Sequence, residues 1–400
     1  MRLHPRHRID IGAADLAYAA RVTLRPADRL RLAGAVEGAW SPDGDALACL
    51  SARSAFDLVL SALALPSGGD VLVSAVTVPD MTRIVRGHGL VPVPVDLDPA
   101  TLAPRADLLD RLRTERTVAV LVAHLFGGRF DMGPVTRFAA GHGLPVLEDC
   151  AQGFLGRGDT GAAPALASFF SFGPIKTSTA LGGGLVRVRD EDVLSRIRAL
   201  HSTWPVQGRS AFGRRLARVA MLGALQSPLA YGLVARAATA GGRTLDQVVG
   251  GSARSFPKGA RYRRQPSAPL LAVVLRRIAD DDGRRLRARA ARGEQVARAL
   301  GAVAELPGAA QPRRTHWLFP VTVDDPPALV DRLRDEGFDA STATSALVAV
   351  PAPEGRPDAE PAVARRMLER IVFLPVYPEL PDAELGRLVA LLAGRVASRV

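Results

Sequence analysis

Lys176 is one of two lysines in this 400-residue chain; the other is Lys258, and the rest of its 52 Lys and Arg residues are arginines. An arginine stays protonated and cannot form an imine, whereas a desolvated lysine can lose its proton and attack a carbonyl. A lysine retained against this bias is therefore a candidate nucleophile. Phe170, Phe172 and Pro174 precede Lys176 and argue against a solvated surface charge.

Two acids, Glu148 and Asp149, follow the apolar pair Val146–Leu147, as expected where a buried parallel strand ends. In open α/β sheets, ligands bind at this carboxyl end of the strands. A glycine-rich run, Gly182–Gly184, follows Lys176. These features together predict a site for pyridoxal phosphate (PLP), an aldehyde cofactor. At such a site the carboxylate of Asp149 would keep the pyridine nitrogen protonated, so that the ring can withdraw electrons.

From Asp70 onward, apolar runs of strand length alternate with amphipathic helical segments. The strand-like runs are VLVSAV, LVPVPVDL, VAVLVAHLF, LPVLED, ASFFSF and GGLVRVR, and helices are predicted over Asp80–His88, Ala106–Thr114, Gly133–His142 and Glu191–Leu200. This alternation is typical of right-handed βαβ units on a largely parallel sheet. The predicted fold class is α/β, with a large domain whose mostly parallel sheet is flanked by helices and a smaller α+β C-terminal domain.

Four segments are predicted along the chain. Residues 1–45 form an N-terminal arm and a helix around Arg25–Glu37, and residues 46–203 form the large domain that carries the PLP site. Residues 204–258 form a helical insertion. Residues 259–400 supply a linker helix and the small C-terminal domain.

The composition indicates a globular protein, since 48% of the residues are apolar and 23% are charged. The net charge of +12 would suit an anionic partner, but the arginines are scattered and lack interleaved aromatic residues, so nucleic acid is not an expected partner. Cys49 and Cys150 are the only cysteines, which fits a reducing compartment and predicts no metal site. The N-terminus lacks a signal-peptide core, and the longest apolar stretch, Val219–Val234, is shorter than the roughly 20 residues that span a bilayer. A cytoplasmic protein is expected.

Six motifs occur in an order that points to a known family. They are DVLVSAVTV at Asp70–Val78, VPVPVDLD at Val91–Asp98, HLFGGRFDM at His124–Met132, EDCAQ at Glu148–Gln152, FSFGPIK at Phe170–Lys176 and LPVYPELPDAEL at Leu374–Leu385. With these motifs the chain resembles the DegT/DnrJ/EryC1/StrS family of PLP-dependent sugar aminotransferases, which have the aspartate aminotransferase fold (fold type I). The resemblance covers most of the chain outside residues 204–258.

The resemblance implies roles for several residues of these motifs. Lys176 would be the Schiff-base lysine and, once displaced by the amino donor, would transfer protons as general base and acid. Ser171 matches the family's phosphate-binding serine, and Gln152 can donate a hydrogen bond to the phenolic oxygen of the ring. A histidine in place of Lys176 would instead indicate the family's dehydratases.

Two positions depart from the family's phosphate site. Ala52-Arg53 fills the two positions where the family usually has Gly-Thr, at the start of a predicted helix, and Ser54 follows them. Arg53 and Ser54 are predicted to bind the cofactor, because arginine binds phosphate bidentately and a helix N-terminus attracts anions. The alternative is that Ser54 only caps the helix and Arg53 is a solvated surface residue. Arg261 stands where the family has an asparagine that reaches the partner subunit's phosphate, and is predicted to take over that role.

Further departures concern the ring and the substrate. Val78 stands where the family usually stacks an aromatic side chain on PLP, so that stack is absent or comes from elsewhere. DASTATSALVAV at Asp339–Val350 replaces the family's substrate segment, which contains His and Tyr. His124 ends a predicted strand and could face the site, but a structural hydrogen bond is the favoured interpretation.

The insertion at residues 204–258 is longer than the family's usual connection. Phe212–Ala238 is predicted to be helical, with four arginines around an apolar middle that is broken at Pro228. Three interpretations remain open: a helical hairpin packed on the dimer, a cap over a large substrate, and a peripheral membrane contact through residues 212–238.

The predicted function is transfer of an amino group from an amino acid to a keto-sugar by a homodimer with its sites at the interface. By resemblance the donor is glutamate and the acceptor is nucleotide-linked. One alternative is the same chemistry on a keto-cyclitol or a lipid-linked sugar. Another is a non-catalytic regulatory protein with the PLP-enzyme fold that binds a ligand or a membrane.

Overall fold

The computed structural model describes residues 2–241, 262–279, 283–301, 304–342 and 347–397. The helices are α1 (Ala13–Leu24), α2 (Arg29–Trp40), α3 (Ala52–Leu63), α4 (Pro79–Gly87), α5 (Ala106–Leu112), α6 (Gly133–Gly141), α7 (Glu191–Ser202), α8 (Arg209–Ala224), α9 (Pro228–Ala240), α10 (Ala268–Ala279), α11 (Arg284–Leu300), α12 (Pro326–Asp335), α13 (Ala362–Arg370) and α14 (Asp382–Ala397). The strands are β1 (Ala46–Cys49), β2 (Asp70–Ser74), β3 (Val76–Thr77), β4 (Val91–Val95), β5 (Thr117–Ala123), β6 (Gly128–Arg129), β7 (Val146–Asp149), β8 (Ala167–Ser171), β9 (Gly184–Val188), β10 (Arg313–Arg314), β11 (Phe319–Thr322), β12 (Ser341–Thr342), β13 (Val348–Ala349) and β14 (Ile371–Leu374).

The centre of the fold is a seven-stranded sheet with the strand order β1-β9-β8-β7-β5-β2-β4. Strands β8, β7, β5, β2 and β4 run parallel, whereas β9 runs antiparallel to both of its neighbours, β8 and β1. The strands read as continuous apolar runs in the sequence because helices cover both faces of the sheet. The predicted α/β class with a mostly parallel sheet is confirmed.

Hydrophobic cores lie on both faces of this sheet. On one face α3 packs against the strands through residues such as Phe56 and Leu60, which meet Phe169 of β8. On the other face Leu109 of α5 and Val135 of α6 cover the strands. The sheet is therefore held rigidly, and the loops at its carboxyl edge are attached to a fixed frame.

The C-terminal part of the chain forms a second, antiparallel sheet of β11, β14 and β12. Its core joins residues such as Phe319, Leu333 and Leu388 from the sheet and from α12 and α14. Two short strand pairs, β10–β6 and β13–β3, connect this part to loops of the large sheet. These pairs bring C-terminal residues to the carboxyl edge of the large sheet.

In the N-terminal segment and in the insertion, a capping residue or a proline marks where a helix begins. The sequence predicts one helix around Arg25–Glu37, but the structure has two, α1 and α2, and Asp28 caps α2 by accepting hydrogen bonds from Leu30 N and Arg31 N. In the insertion, Pro228 begins α9, since proline fits the first turn of a helix.

Within the described part of the chain, no helix is both long enough and apolar enough to cross a bilayer.

Candidate functional site

Lys176 lies in the loop that connects β8 to β9 at the carboxyl edge of the sheet. Three backbone amides fold this loop on itself: Lys176 N donates to Gly173 O, and Ala180 N and Gly182 N both donate to Phe172 O, each at 3.0 Å. Ser178, at the turn that follows Lys176, has a left-handed φ of 53°. The tight loop holds Lys176 over the edge where the sequence predicts a ligand.

Asp149 is the last residue of β7, the strand beside β8, and is buried. Its Oδ1 accepts a hydrogen bond from Ala151 N at 2.9 Å. Burial raises the pKa of Asp149, although the positive charges of Lys176 and Arg53 oppose the rise. Burial lowers the pKa of Lys176 to about 7, with Asp149 opposing and Arg53 assisting the shift. Asp149, Lys176 and Arg53 are therefore within electrostatic reach of one another, as the sequence analysis requires.

Arg53 lies in the first turn of α3, and its Nε is 2.6 Å from Asp80 Oδ2 in the first turn of α4. Its side chain is 24% exposed, so it is an ion-paired group rather than a solvated surface residue. Two helix N-termini and a guanidinium thus meet beside Lys176. Such an arrangement binds anions, because the free N–H groups and the helix dipole add to the positive charge.

Ser171 ends β8, and its backbone pairs with Gly184 of β9. A Cβ atom on Gly184 would lie only 2.4 Å from Ala52 N, so a side chain there would displace the start of α3. This close approach places Ser171 and the N-terminus of α3 at one corner of the site. The corner suits the phosphate of PLP.

Ser54 is fully buried, and its hydroxyl donates a hydrogen bond to Tyr262 O at 2.8 Å. The helix cap is Ser51, whose Oγ accepts from Ser54 N at 3.2 Å. The N-cap of α3 is therefore Ser51 and not Ser54. A role for Ser54 at the phosphate remains a prediction.

Gln152 follows Asp149 in the loop after β7. Its Oε1 accepts a hydrogen bond from Phe126 N at 3.4 Å, which leaves the amide N–H group as the donor that the prediction needs.

His124 lies on the opposite face of the sheet from Asp149, because it binds Glu148 and neighbouring residues of a strand point to opposite faces. His124 Nε2 is 2.9 Å from Glu148 Oε1, and Arg129 Nη1 donates to the same oxygen at 2.6 Å. Burial opposes ionisation of Glu148, but these bonds and charges hold its pKa well below the usual range. Cys150 lies within ligand distance of this pair, yet the carboxylate of Glu148 is already bound by His124 and Arg129. His124 thus has the structural role that the sequence analysis favours.

Arg261 and Lys258 lie outside the described residues. The next residues along the chain, Tyr262 and Arg263, pack on α3 of the same chain. Arg263 Nε and Nη2 each donate to the carboxylate of Asp57 at 2.8 Å. The described residues that follow Arg261 thus lie against the helix whose N-terminus carries Arg53.

Trp317 and His7 are two residues at the site that the sequence analysis missed. Trp317 Nε1 donates to Ile175 O at 2.8 Å, and the centroid of its ring lies 4.0 Å from Lys176 Nζ. His7 Nε2 is 2.9 Å from the same carbonyl oxygen. Neither residue belongs to a motif, so no local pattern signals their approach to Lys176.

The described residues fit PLP. A lysine with a lowered pKa, a buried carboxylate at the end of the next strand, and a guanidinium at a helix N-terminus are the groups that its aldehyde, ring nitrogen and phosphate require. The fit depends on residues of three separate elements that the sheet brings to one edge.

Comparison with known proteins supports the same family. Residues 39–223 match the DegT/DnrJ/EryC1/StrS aminotransferase family. The chain is 40% identical over 147 residues to an L-glutamine:2-deoxy-scyllo-inosose aminotransferase of Streptomyces fradiae, covering 36% of this chain and 35% of the relative. It is 34% identical over 157 residues to a GDP-perosamine synthase of Caulobacter vibrioides, covering 39% and 42%. These alignments thus span well under half of the relatives' length. A longer alignment, 27% identical over 360 residues, covers 86% of this chain and 82% of a UDP-N-acetyl-3-dehydro-alpha-D-glucosamine 3-aminotransferase of Acidithiobacillus ferrooxidans.

Solved structures agree in fold along the whole chain. An aminotransferase from Streptoalloteichus hindustanus superposes with a TM-score of 0.68 at 19% identity, covering 100% of this chain and 99% of that one. An aminotransferase from Psychrobacter cryohalolentis gives a TM-score of 0.68 at 18% identity, covering 97% and 98%. The stretch that matches the family, residues 39–223, contains both Asp149 and Lys176, and the fold agrees with these solved aminotransferases along the whole chain.

Proposed function

We propose that this protein transfers an amino group from an amino acid to a keto-sugar, with PLP bound through Lys176. The observation that carries the proposal is the electrostatic interaction of Lys176, whose pKa is lowered to about 7, with the buried carboxylate of Asp149 at the edge of the parallel sheet. A lysine with this pKa is partly neutral at physiological pH, so its amine can act as nucleophile and as base.

PLP, when bound, supplies an aldehyde for covalent attachment and a ring that withdraws electrons from the bond being broken. Asp149 would hold the proton on the ring nitrogen, and Gln152 would donate to the phenolic oxygen. Lys176 Nζ would accept the proton from the α-carbon of the donor and later return it. Each of these groups acts from the carboxyl edge of the large sheet.

The phosphate would be held by Arg53, Ser171 and the N-terminus of α3, with Ser54 close by. Arg261 of the partner subunit would complete this site, so the working form is a homodimer with its sites at the interface. The residues that follow Arg261, Tyr262 and Arg263, bind α3 of their own chain close to the phosphate corner.

The proposed donor is glutamate and the proposed acceptor is a nucleotide-linked keto-sugar. A keto-cyclitol is the second candidate acceptor, since the Streptomyces fradiae relative is named for 2-deoxy-scyllo-inosose and for L-glutamine as donor. Both donors and both acceptor classes therefore belong in the same assay.

The test is reconstitution with PLP, reduction with borohydride and peptide mapping, followed by absorption spectra with glutamate or glutamine and product analysis with each acceptor. We expect the phosphopyridoxyl group on Lys176, a spectral change with the donor, and amination of one acceptor class. Lys176→Arg is the matched control, which should fold but retain no covalent label. Label on Lys258, or no label at all, contradicts the assignment. Labelling of Lys176 without a spectral response to any donor favours the non-catalytic alternative.

A further inference from the structure

The carbonyl of Ile175, the residue before Lys176, is held by two side chains from distant parts of the chain. Trp317 Nε1 lies 2.8 Å from this oxygen and His7 Nε2 lies 2.9 Å from it. A carbonyl oxygen has two lone pairs, so it can accept both hydrogen bonds at once. Because Ile175 C=O and Lys176 N share one planar peptide unit, holding the oxygen fixes the direction in which the backbone enters Lys176.

Trp317 also contacts the reacting amine itself. The ring is almost fully buried, at 6% exposure, and Lys176 Nζ lies 4.0 Å from its centroid. The indole face therefore shields one side of the amine from water, and its N–H group holds the backbone of the preceding residue. One side chain from the C-terminal part of the chain thus restrains both the main chain and the side chain of the loop.

The N-terminal arm grips the loop on both sides of Lys176. His7 binds Ile175 O before the lysine, and Asp10 Oδ2 accepts Ser178 N at 2.8 Å after it. The arm is itself anchored, since Ile9 N donates to Gln226 Oε1 at 3.1 Å in the turn between α8 and α9. The N-terminal arm therefore restrains the loop both before and after Lys176.

His7 is suited to donate this bond as a neutral ring. Burial and the neighbouring guanidinium of Arg289, itself 2% exposed, lower the pKa of His7 to about 3. A neutral imidazole that faces a carbonyl must carry its proton on Nε2. A neutral His7 can therefore donate the bond to Ile175 O from Nε2.

We propose that His7 and Trp317 are positioning residues for Lys176, which aim its amine at the Asp149 side of the site when the N-terminal arm and the C-terminal sheet are docked. This inference rests on the proposed function for its consequence, because it explains how the reacting amine is held. It implies that docking of two separate segments is a condition for rapid proton transfer at Nζ.

The test uses five variants of the full-length protein. Trp317→Phe keeps a ring but loses the N–H group, and Trp317→Leu loses both. His7→Ala removes the donor, His7→Gln can restore one, and Trp204→Phe is the matched control. The first readout needs no cofactor. Competitive acetylation across pH measures the pKa of Lys176, with Lys258 in the same molecule as reference. The second is the donor half-reaction, resolved into its maximal rate and half-saturating donor concentration.

We expect Trp317→Leu to raise the acetylation midpoint of Lys176 above about 7, because water regains access to the ammonium. Trp317→Phe and His7→Ala should each lower the maximal half-reaction rate by about three- to tenfold, the value of one hydrogen bond, with little change in half-saturation. His7→Gln should recover part of the rate, and Trp204→Phe should match wild type. An unchanged midpoint and rate in Trp317→Leu and His7→Ala, with only the melting temperature lowered, would overturn the proposal. If wild type shows no half-reaction the proposed function fails, but the midpoint still decides whether Trp317 shields Lys176.

Discussion

Arg53 and Asp80 form an ion pair between the first turns of α3 and α4, with Arg53 Nε 2.6 Å from Asp80 Oδ2. The pair matters because the charge of Arg53 reaches Asp149 and Lys176 and favours the ionised carboxylate and the neutral amine. A cation held by a neighbouring carboxylate keeps a fixed position. Arg53 would therefore already be in place for the phosphate that we propose it binds.

The first prediction concerns this arginine. Arg53→Gln should weaken PLP retention by about tenfold or more, because a charge-assisted bond to phosphate contributes roughly 1.5–3 kcal/mol. Equilibrium dialysis of PLP against the apoprotein measures the change. Arg83→Gln is the control, since Arg83 also pairs with Asp80 but is 67% exposed, and it should bind PLP like wild type. Equal affinity in both variants would remove Arg53 from the phosphate site.

The second prediction is a pH dependence of stability. The pKa of Lys176 is about 7 in the folded protein, whereas an unfolded lysine has a pKa of about 10.4. Between these values the unfolded state binds a proton that the folded state does not, so the free energy of unfolding rises with pH across this window. Urea unfolding of the apoprotein should show that the free energy of unfolding increases more from pH 7 to pH 9 in wild type than in Lys176→Met. An equal increase in the two proteins would show that the pKa of Lys176 is not lowered by folding.

The third prediction is that the buried network around Arg129, on the face of the sheet opposite Asp149, stabilises the fold but does not bind the cofactor. Arg129 is buried and bridges Glu148, Asp159 and the carbonyl of Gly153. Arg129→Met should cost about 3–5 kcal/mol in urea unfolding, because it leaves buried carboxylates without their cation.

The protein that remains folded should still bind PLP with wild-type affinity, since Glu148 and Asp149 point to opposite faces. Arg105→Met, which removes an exposed pair with Asp107, is the control and should unfold like wild type. Loss of PLP affinity without loss of stability would place the Arg129 network in the site instead.

The sequence predicts the main features of the sheet and the chemistry at its edge for a physical reason. Strands buried on both faces must be continuously apolar, so their ends are visible as the first polar residues, as at Glu148 and Asp149. Lys176 is visible because the chain otherwise uses arginine. The break between α1 and α2 could have been found from Pro26 and the capping residue Asp28, since a proline and a helix cap mark boundaries.

Trp317 and His7 could not be found in the same way. Their contacts with Ile175 join residues more than 140 positions apart, and they depend on how the arm and the C-terminal sheet dock. No periodicity or spacing encodes such a contact. Likewise, the engagement of the Ser54 hydroxyl by Tyr262 O follows from the path of a distant segment.

The last prediction concerns the α8–α9 hairpin in the insertion. Its inner side completes a core, since Phe212 and Val219 are buried with Phe172. The hairpin also exposes three apolar side chains, here called its outer side, namely Met221 at 55%, Leu229 at 59% and Leu233 at 68%. Leu229 and Leu233 are four residues apart on α9 and so share one helix face, and exposed apolar residues on one face indicate a contact surface. Deleting the hairpin would open the inner core, so substitutions on the outer side are the cleaner test.

We predict that this outer side packs against a second copy of the chain. Leu229→Gln combined with Leu233→Gln should raise the dimer dissociation constant by tenfold or more, because full burial of a leucine contributes about 1.5–3 kcal/mol. Sedimentation measures the constant, and the control is Leu24→Gln with Leu30→Gln, which changes two exposed leucines elsewhere. If the hairpin variant stays dimeric but no longer binds anionic vesicles that wild type binds, the surface contacts lipid. The arginines of residues 193–245, a stretch without Asp or Glu, would then supply the attraction.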